Sequence, residues 1–116
     1  MYRLRVESHF DAAHKLIGYK GKCASLHGHT WKVEVFVTGD RLKNGILVDF
    51  QVPKESLEGI TGKLDHVLLN DIRDIGNPTV ENISKYIFER IVLPEDVKLE
   101  KVRVWESPRS WGEYLG

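Results

Sequence analysis

The chain has one cysteine, Cys23, one methionine and four prolines in 116 residues. A single cysteine closes no internal disulfide, which excludes the small secreted scaffolds held together by several. No charge sign is in excess either, since seventeen Lys and Arg face seventeen Asp and Glu. Duplex-binding modules draw their affinity from uncompensated cations, so no nucleic-acid partner is expected. A membrane-surface helix is disfavoured for the same reason. No apolar run approaches the ~18 residues that a spanning helix needs. The opening residues MYRLRVESHF alternate charged and apolar positions, unlike the apolar core of a signal peptide. These absences lead to the expectation of one cytoplasmic domain over 1–116, with no membrane partner and a surface that tolerates self-association.

What is present is periodicity. Tyr2, Leu4, Val6, Ser8, Phe10 and Ala12 alternate with Arg3, Arg5, Glu7, His9 and Asp11, which predicts a strand. A glycine-bearing loop over 15–26 leads to a second strand over Thr30–Thr38, with Trp31, Val33, Val35 and Val37 on one face. Asn44-Gly45 forms a turn, and Ile46–Phe50 begins a short apolar segment. Leu57, Ile60, Leu64 and Val67 or Leu68 recur at helical spacing after Pro53. A second helix is expected from Thr79 as N-cap, burying Val80, Ile83, Ile87 and Ile91 and ending at Pro94. Strands over Val97–Glu106 and around Ser110–Leu115 complete a ββααββ order. The fold class is therefore α+β: a four-stranded antiparallel sheet with two helices on one face.

The chemistry begins with histidine. His27 and His29 are two residues apart and lead into the second strand. If that strand reaches back to His27, both imidazoles share the face of Trp31, and parity on the first strand puts His14 on its apolar face too. Three neutral imidazoles with an open fourth position suit catalytic zinc, while solvated histidines at a strand start remain the alternative. Cys23 reads either as an inert small hydrophobe or as a thiol activated by a nearby cation. Asp65-His66 reads either as a base with its orienter or as an ordinary helix-terminal histidine. Glu106 shares parity with Val102 and Val104, so its carboxylate needs a partner, either an Arg or Lys or a ligand that donates N–H groups. His9 has the opposite parity and reads as solvated.

Together the segments Phe10-Asp11-Ala12-Ala13-His14, Cys23-Ala24-Ser25-Leu26-His27-Gly28-His29, Val48-Asp49-Phe50, Leu64-Asp65-His66, Leu69-Asn70, Asn77-Pro78-Thr79-x-Glu81-Asn82 and Glu106 resemble the 6-pyruvoyltetrahydropterin synthase / 6-carboxytetrahydropterin synthase family over nearly the whole chain. The resemblance implies zinc held by His14, His27 and His29. It also implies Cys23 as proton acceptor, His66 as relay partner oriented by Asp65, and Glu106 as pterin anchor and part of the relay. It further implies the tunnelling fold, in which trimers close a barrel and stack into hexamers with active sites between subunits. The implied enzyme is a zinc-dependent lyase that makes 6-carboxytetrahydropterin from 7,8-dihydroneopterin triphosphate, releasing acetaldehyde and triphosphate, on the route to 7-deazaguanine nucleosides such as queuosine. The three residues between Cys23 and His27 resemble the carboxy-forming members; pyruvoyl-forming members have a longer insertion. A pyruvoyl-forming synthase is the alternative activity, and a non-catalytic pterin- or purine-binding module on the same fold is the alternative class. Lys15, Lys20, Lys22 and Arg109 are the cations considered for the triphosphate.

Overall fold

The computed structural model describes residues 1–21 and 24–116. Its elements are β1 (Tyr2–His14), β2 (His27–Gly39), α1 (Gln51–Leu64), α2 (Val80–Phe88), β3 (Lys98–Ser107) and β4 (Ser110–Tyr114), with a short 3₁₀ turn at Leu69–Asp71 between the helices. The strands form one antiparallel sheet in the order β1-β2-β3-β4. The ββααββ order expected from periodicity is thus the observed one.

Alternation places one face of the sheet in the core. Val6 and Phe10 of β1, Trp31, Val33, Val35 and Val37 of β2, and Val102 and Val104 of β3 are buried with Leu57 and Leu64 of α1 and Ile83 and Ile87 of α2. Each such side chain contributes roughly 1.5–3 kcal/mol through burial, so the two helices are held by this face. Helix α1 lies over β1, where the Ser8 and Thr61 hydroxyls meet at 2.8 Å. Helix α2 lies over β3 and β4, with Thr79 as N-cap accepting from the Asn82 amide. Gly112 permits that approach, because a Cβ there would sit 2.8 Å from Val80 Cγ2.

The structure departs from periodicity in three places. Val67 and Leu68 are not helical, because α1 stops at Leu64, Asp65 is extended and His66 is left-handed at φ 58°. The free edge of β1 takes over there: the His66 amide donates to the Asp11 carbonyl at 2.6 Å and the Ala13 amide to the Val67 carbonyl at 3.3 Å. Unpaired strand-edge groups thus outcompete another helical turn. Helix α2 ends at Phe88, ahead of Pro94, and Ile91 is half-buried beyond its end. Ile46–Phe50 forms no strand. Lys43 and Ile46 instead bond reciprocally across Asn44 and Gly45, both at positive φ, and Leu47 folds back into the core.

The helix-free face of the sheet is charged and partly buried. Glu7 lies directly across from Glu34, and Glu34 from Arg103. Two acids in register would repel, but Arg5 bonds to both, and the Trp105 indole N–H donates to Glu34. Burial pushes the Glu34 carboxyl up, and the bonds from Arg5 and Trp105 outweigh it, so the group titrates below its ordinary value of 4.5. A carboxyl with a depressed folded-state pKa stabilises the fold above its unfolded value, and that contribution disappears as pH falls through the folded value. Denaturant midpoints measured between about pH 6 and 3 should therefore fall more steeply for the native chain than for Glu34→Gln, with the difference opening below about pH 4.5. Parallel curves would assign the acid sensitivity to other carboxylates.

Candidate functional site

The β1–β2 ladder ends in the pair His14–His27, with Ala12 opposite His29 in the same register. Strand β2 does reach back to His27, so the condition for convergence of the three imidazoles is met. His14 is fully buried, and its Nδ1 donates to the Pro78 carbonyl at 2.7 Å. His27 Nδ1 donates to the Ser25 carbonyl at 2.6 Å. A carbonyl only accepts, so each of these rings carries its proton on Nδ1 and presents the Nε2 lone pair to the site. These Nε2 atoms lie 3.0 Å apart, a spacing at which two lone pairs repel unless a proton or a cation lies between them.

His29 adds the third nitrogen. Its Nε2 is buried without a hydrogen-bond partner and lies 3.4 Å from Glu106 Oε1. Burial lowers the His29 pKa; Glu106 opposes this, and His14 and His27 reinforce it. The ring is therefore biased toward the neutral form that ligates metal. Trp31 steadies the group from below: its ring meets His14 and His29 edge-on at 4.9 and 5.2 Å, and its indole N–H donates to the Ala12 carbonyl. The donor atoms of His14, His27, His29 and Glu106 all lie within 4.8 Å of one another. An orphaned buried nitrogen, two tautomers fixed by carbonyls and an adjacent carboxylate together fit a divalent metal ion.

Asp65 and His66 belong to a second cluster, with Asp11. The Asp65 carboxylate accepts from the Asp11 amide at 2.8 Å and lies 2.8 Å from His66 Nδ1. Those two contacts hold its pKa below the usual carboxylate range. The Thr30 hydroxyl donates to Asp11 at 2.6 Å and closes the cluster. The His66 side chain is 79% exposed. The dyad thus exists, but within one chain it stands apart from the imidazole group. Cys23 lies outside the described residues.

Two clefts flank the imidazole group and share Gly28, His29 and Thr30. One, of about 600 Å³, also reaches Asp11 and His66. The other, of about 650 Å³, runs past Glu106 to Trp105, Ser107 and Pro108. Glu106 meets neither Arg nor Lys within ion-pair distance among the described residues; its neighbour is His29.

Asn70 and Asn77 are supports that residue chemistry alone did not reveal. Asn70 bonds to both the amide and the carbonyl of Lys15, each at 2.8 Å, and Asn77 does the same for Ile17 at 2.8 and 3.2 Å. They clamp the chain as it leaves His14. Leu69-Asn70 and Asn77-Pro78 carried the family resemblance, but this clamp required the structure.

Residues 3–116 match the family described as 6-pyruvoyl tetrahydropterin synthase. A 6-carboxy-5,6,7,8-tetrahydropterin synthase of Haemophilus influenzae is 32% identical, with 98% of this chain and 99% of the relative covered. A dihydroneopterin monophosphate aldolase of Pyrococcus furiosus is 43% identical, with 90% of each covered. The solved 6-pyruvoyl tetrahydropterin synthase of Caenorhabditis elegans superposes with a TM-score of 0.85 at 25% identity, with 99% of this chain and 95% of that chain covered. The four-stranded sheet with two helices on one face is therefore the tunnelling fold, and the chain belongs to the 6-pyruvoyl tetrahydropterin synthase family.

Proposed function

We propose that the single domain over 1–116 is a zinc-dependent lyase, a 6-carboxy-5,6,7,8-tetrahydropterin synthase that converts 7,8-dihydroneopterin triphosphate and water to 6-carboxytetrahydropterin, acetaldehyde and triphosphate. The observation that carries this reading is the unpartnered, buried His29 Nε2 facing His14, His27 and Glu106. In the proposal the three histidines hold zinc, which when bound supplies a Lewis acid for the side-chain oxygens of a pterin. Glu106, which lines the larger cleft, accepts from the pterin ring N–H and 2-amino groups. Cys23 takes a carbon-bound proton, a general-base step worth ~10²–10⁴-fold, and His66, oriented by Asp65, relays it.

The separation of the dyad from the imidazole group supports an assembly in which a neighbouring copy supplies one of them. Strands β1 and β4 are the sheet edges, and closing a barrel across them as a trimer or hexamer removes both. No helix is long and apolar enough to cross a membrane, and a cytoplasmic location serving 7-deazaguanine synthesis fits the proposed substrate.

The Pyrococcus furiosus relative at 43% identity favours a second reading, an aldolase acting on a dihydroneopterin monophosphate. Product analysis separates the readings. With dihydroneopterin triphosphate the expected products are acetaldehyde and a 6-carboxy pterin, and Cys23→Ala should lower turnover at least ~10²-fold while keeping fold and metal. A phosphorylated two-carbon aldehyde would establish the aldolase reading. A retained three-carbon side chain would establish the pyruvoyl-forming one.

Metal analysis of the purified chain should find about one zinc per chain, and His29→Ala should lose it. Ligand removal at a metal site exceeds the ~10–100-fold typical of losing a supporting partner. Full zinc content in His29→Ala would overturn the ligand set.

Subunit sharing has its own test. His29→Ala and His66→Ala should each be inactive, and mixing them with subunit exchange should restore part of the activity. A monomer by sedimentation, with no recovery on mixing, would place the whole site within one chain.

A further inference from the structure

The larger cleft continues from His29 and Glu106 to His9 and Lys32 on the helix-free face of the sheet. His9 and Lys32 are register partners across β1 and β2, and Lys32 is the partner of Trp105 across β2 and β3. The three side chains therefore form one row beside the site. The adjoining row shows how this face treats like charges in register: Glu7 and Glu34 are bridged by Arg5, and Arg103 adds a longer contact to Glu34. The row of His9 and Lys32 has no such bridge. Among the described residues Lys32 makes no ion pair with a carboxylate, and the nearest acid to His9 is Glu7, 3.6 Å from its Nε2. Glu34 lies next along the strand, but Arg5 and the Trp105 indole occupy its oxygens.

Lys32 is also held in place. Its ammonium sits 4.9 Å from the Trp105 ring centroid, and that indole is tethered through its N–H to the buried Glu34. Lys32 acts on Glu34 through space but forms no ion pair with it, which leaves a positioned, half-buried ammonium facing an open cleft.

We propose that Lys32, with His9 beside it, takes a phosphoryl group of the pterin substrate's side chain. This rests on the reading of the site as one for a phosphorylated dihydropterin. The placement suits such a molecule: Glu106, His29 and Lys32 all line the same cleft of about 650 Å³, so one extended ligand can meet all three. Lys32 differs from the cations considered from sequence. Lys15, Lys20 and Arg109 line neither cleft, and Lys22 lies outside the described residues. His9, read from parity as merely solvated, becomes the second donor.

The zinc-loaded full chain is titrated with inorganic tripolyphosphate, followed by tryptophan fluorescence through Trp105, and separately with unphosphorylated neopterin. Lys32→Ala should weaken tripolyphosphate binding about tenfold or more, as expected for losing a charge-assisted bond, and His9→Ala by a smaller factor. Lys32→Arg should restore most of it. Neopterin affinity should stay within about twofold in Lys32→Ala, while Glu106→Gln should show the reverse pattern. Wild-type tripolyphosphate affinity in both Lys32→Ala and Lys32→Gln would overturn the phosphoryl site. Failure of the pterin reading would look different: neopterin would not bind the native chain, while tripolyphosphate binding still depended on Lys32.

Discussion

Everything at the site depends on the register of the β1–β2 ladder, whose last pair is His14 with His27. A strand alternates faces with a period of two, so a slip of one residue would turn His14 away from His27 and carry Val6 and Phe10 out of the core. The same thirteen-residue pairing therefore fixes the hydrophobic core and the imidazole group. Trp31 joins the two. It is fully buried, stacks on Phe10 and meets two of the imidazole rings with its edges. Because the core holds the indole, the site inherits its rigidity at no separate entropic cost.

Polarity divides the sheet. The helix-covered face is apolar, apart from Ser8 bonded to Thr61, until it reaches the strand ends, where it becomes imidazole and carboxylate. The other face carries Arg5, Glu7, Glu34, Arg103 and Glu113 in a network whose members satisfy one another. That network keeps a buried carboxylate ionised and anchors Trp105, whose ring then positions Lys32. A structural charge cluster on one face thus reaches the rim of the site on the other through one indole.

The chain emerging from α1 adds a second cluster of titratable groups along the outer edge of β1. His66 adopts a left-handed backbone, a conformation that costs an L-residue roughly 1–2 kcal/mol, and the bonds to Asp11 and Ala13 offset it. The result is an oriented Asp65–His66 pair beside the edge strand, with the imidazole exposed.

Much of this was legible in the residues themselves. Strict alternation in β1 and β2 set the faces of His14, His27 and His29, and alternation in β3 set that of Glu106, because side-chain direction in a strand is purely local. The Thr79 cap and the Asn44-Gly45 turn were legible for the same reason. Helix ends were not. Val67 and Leu68 kept helical spacing, and only the free edge of β1, brought close by folding, drew them out of the helix. Nor could parity place Asp65 and His66 apart from the imidazoles, or set His9 and Lys32 side by side without a bridging acid. Those relations join residues distant in sequence, and strand pairing decides them through backbone hydrogen bonds that every residue type can make. The sequence by itself determined which side chains face the core and which can ligate a metal; the tertiary structure decided which of them meet.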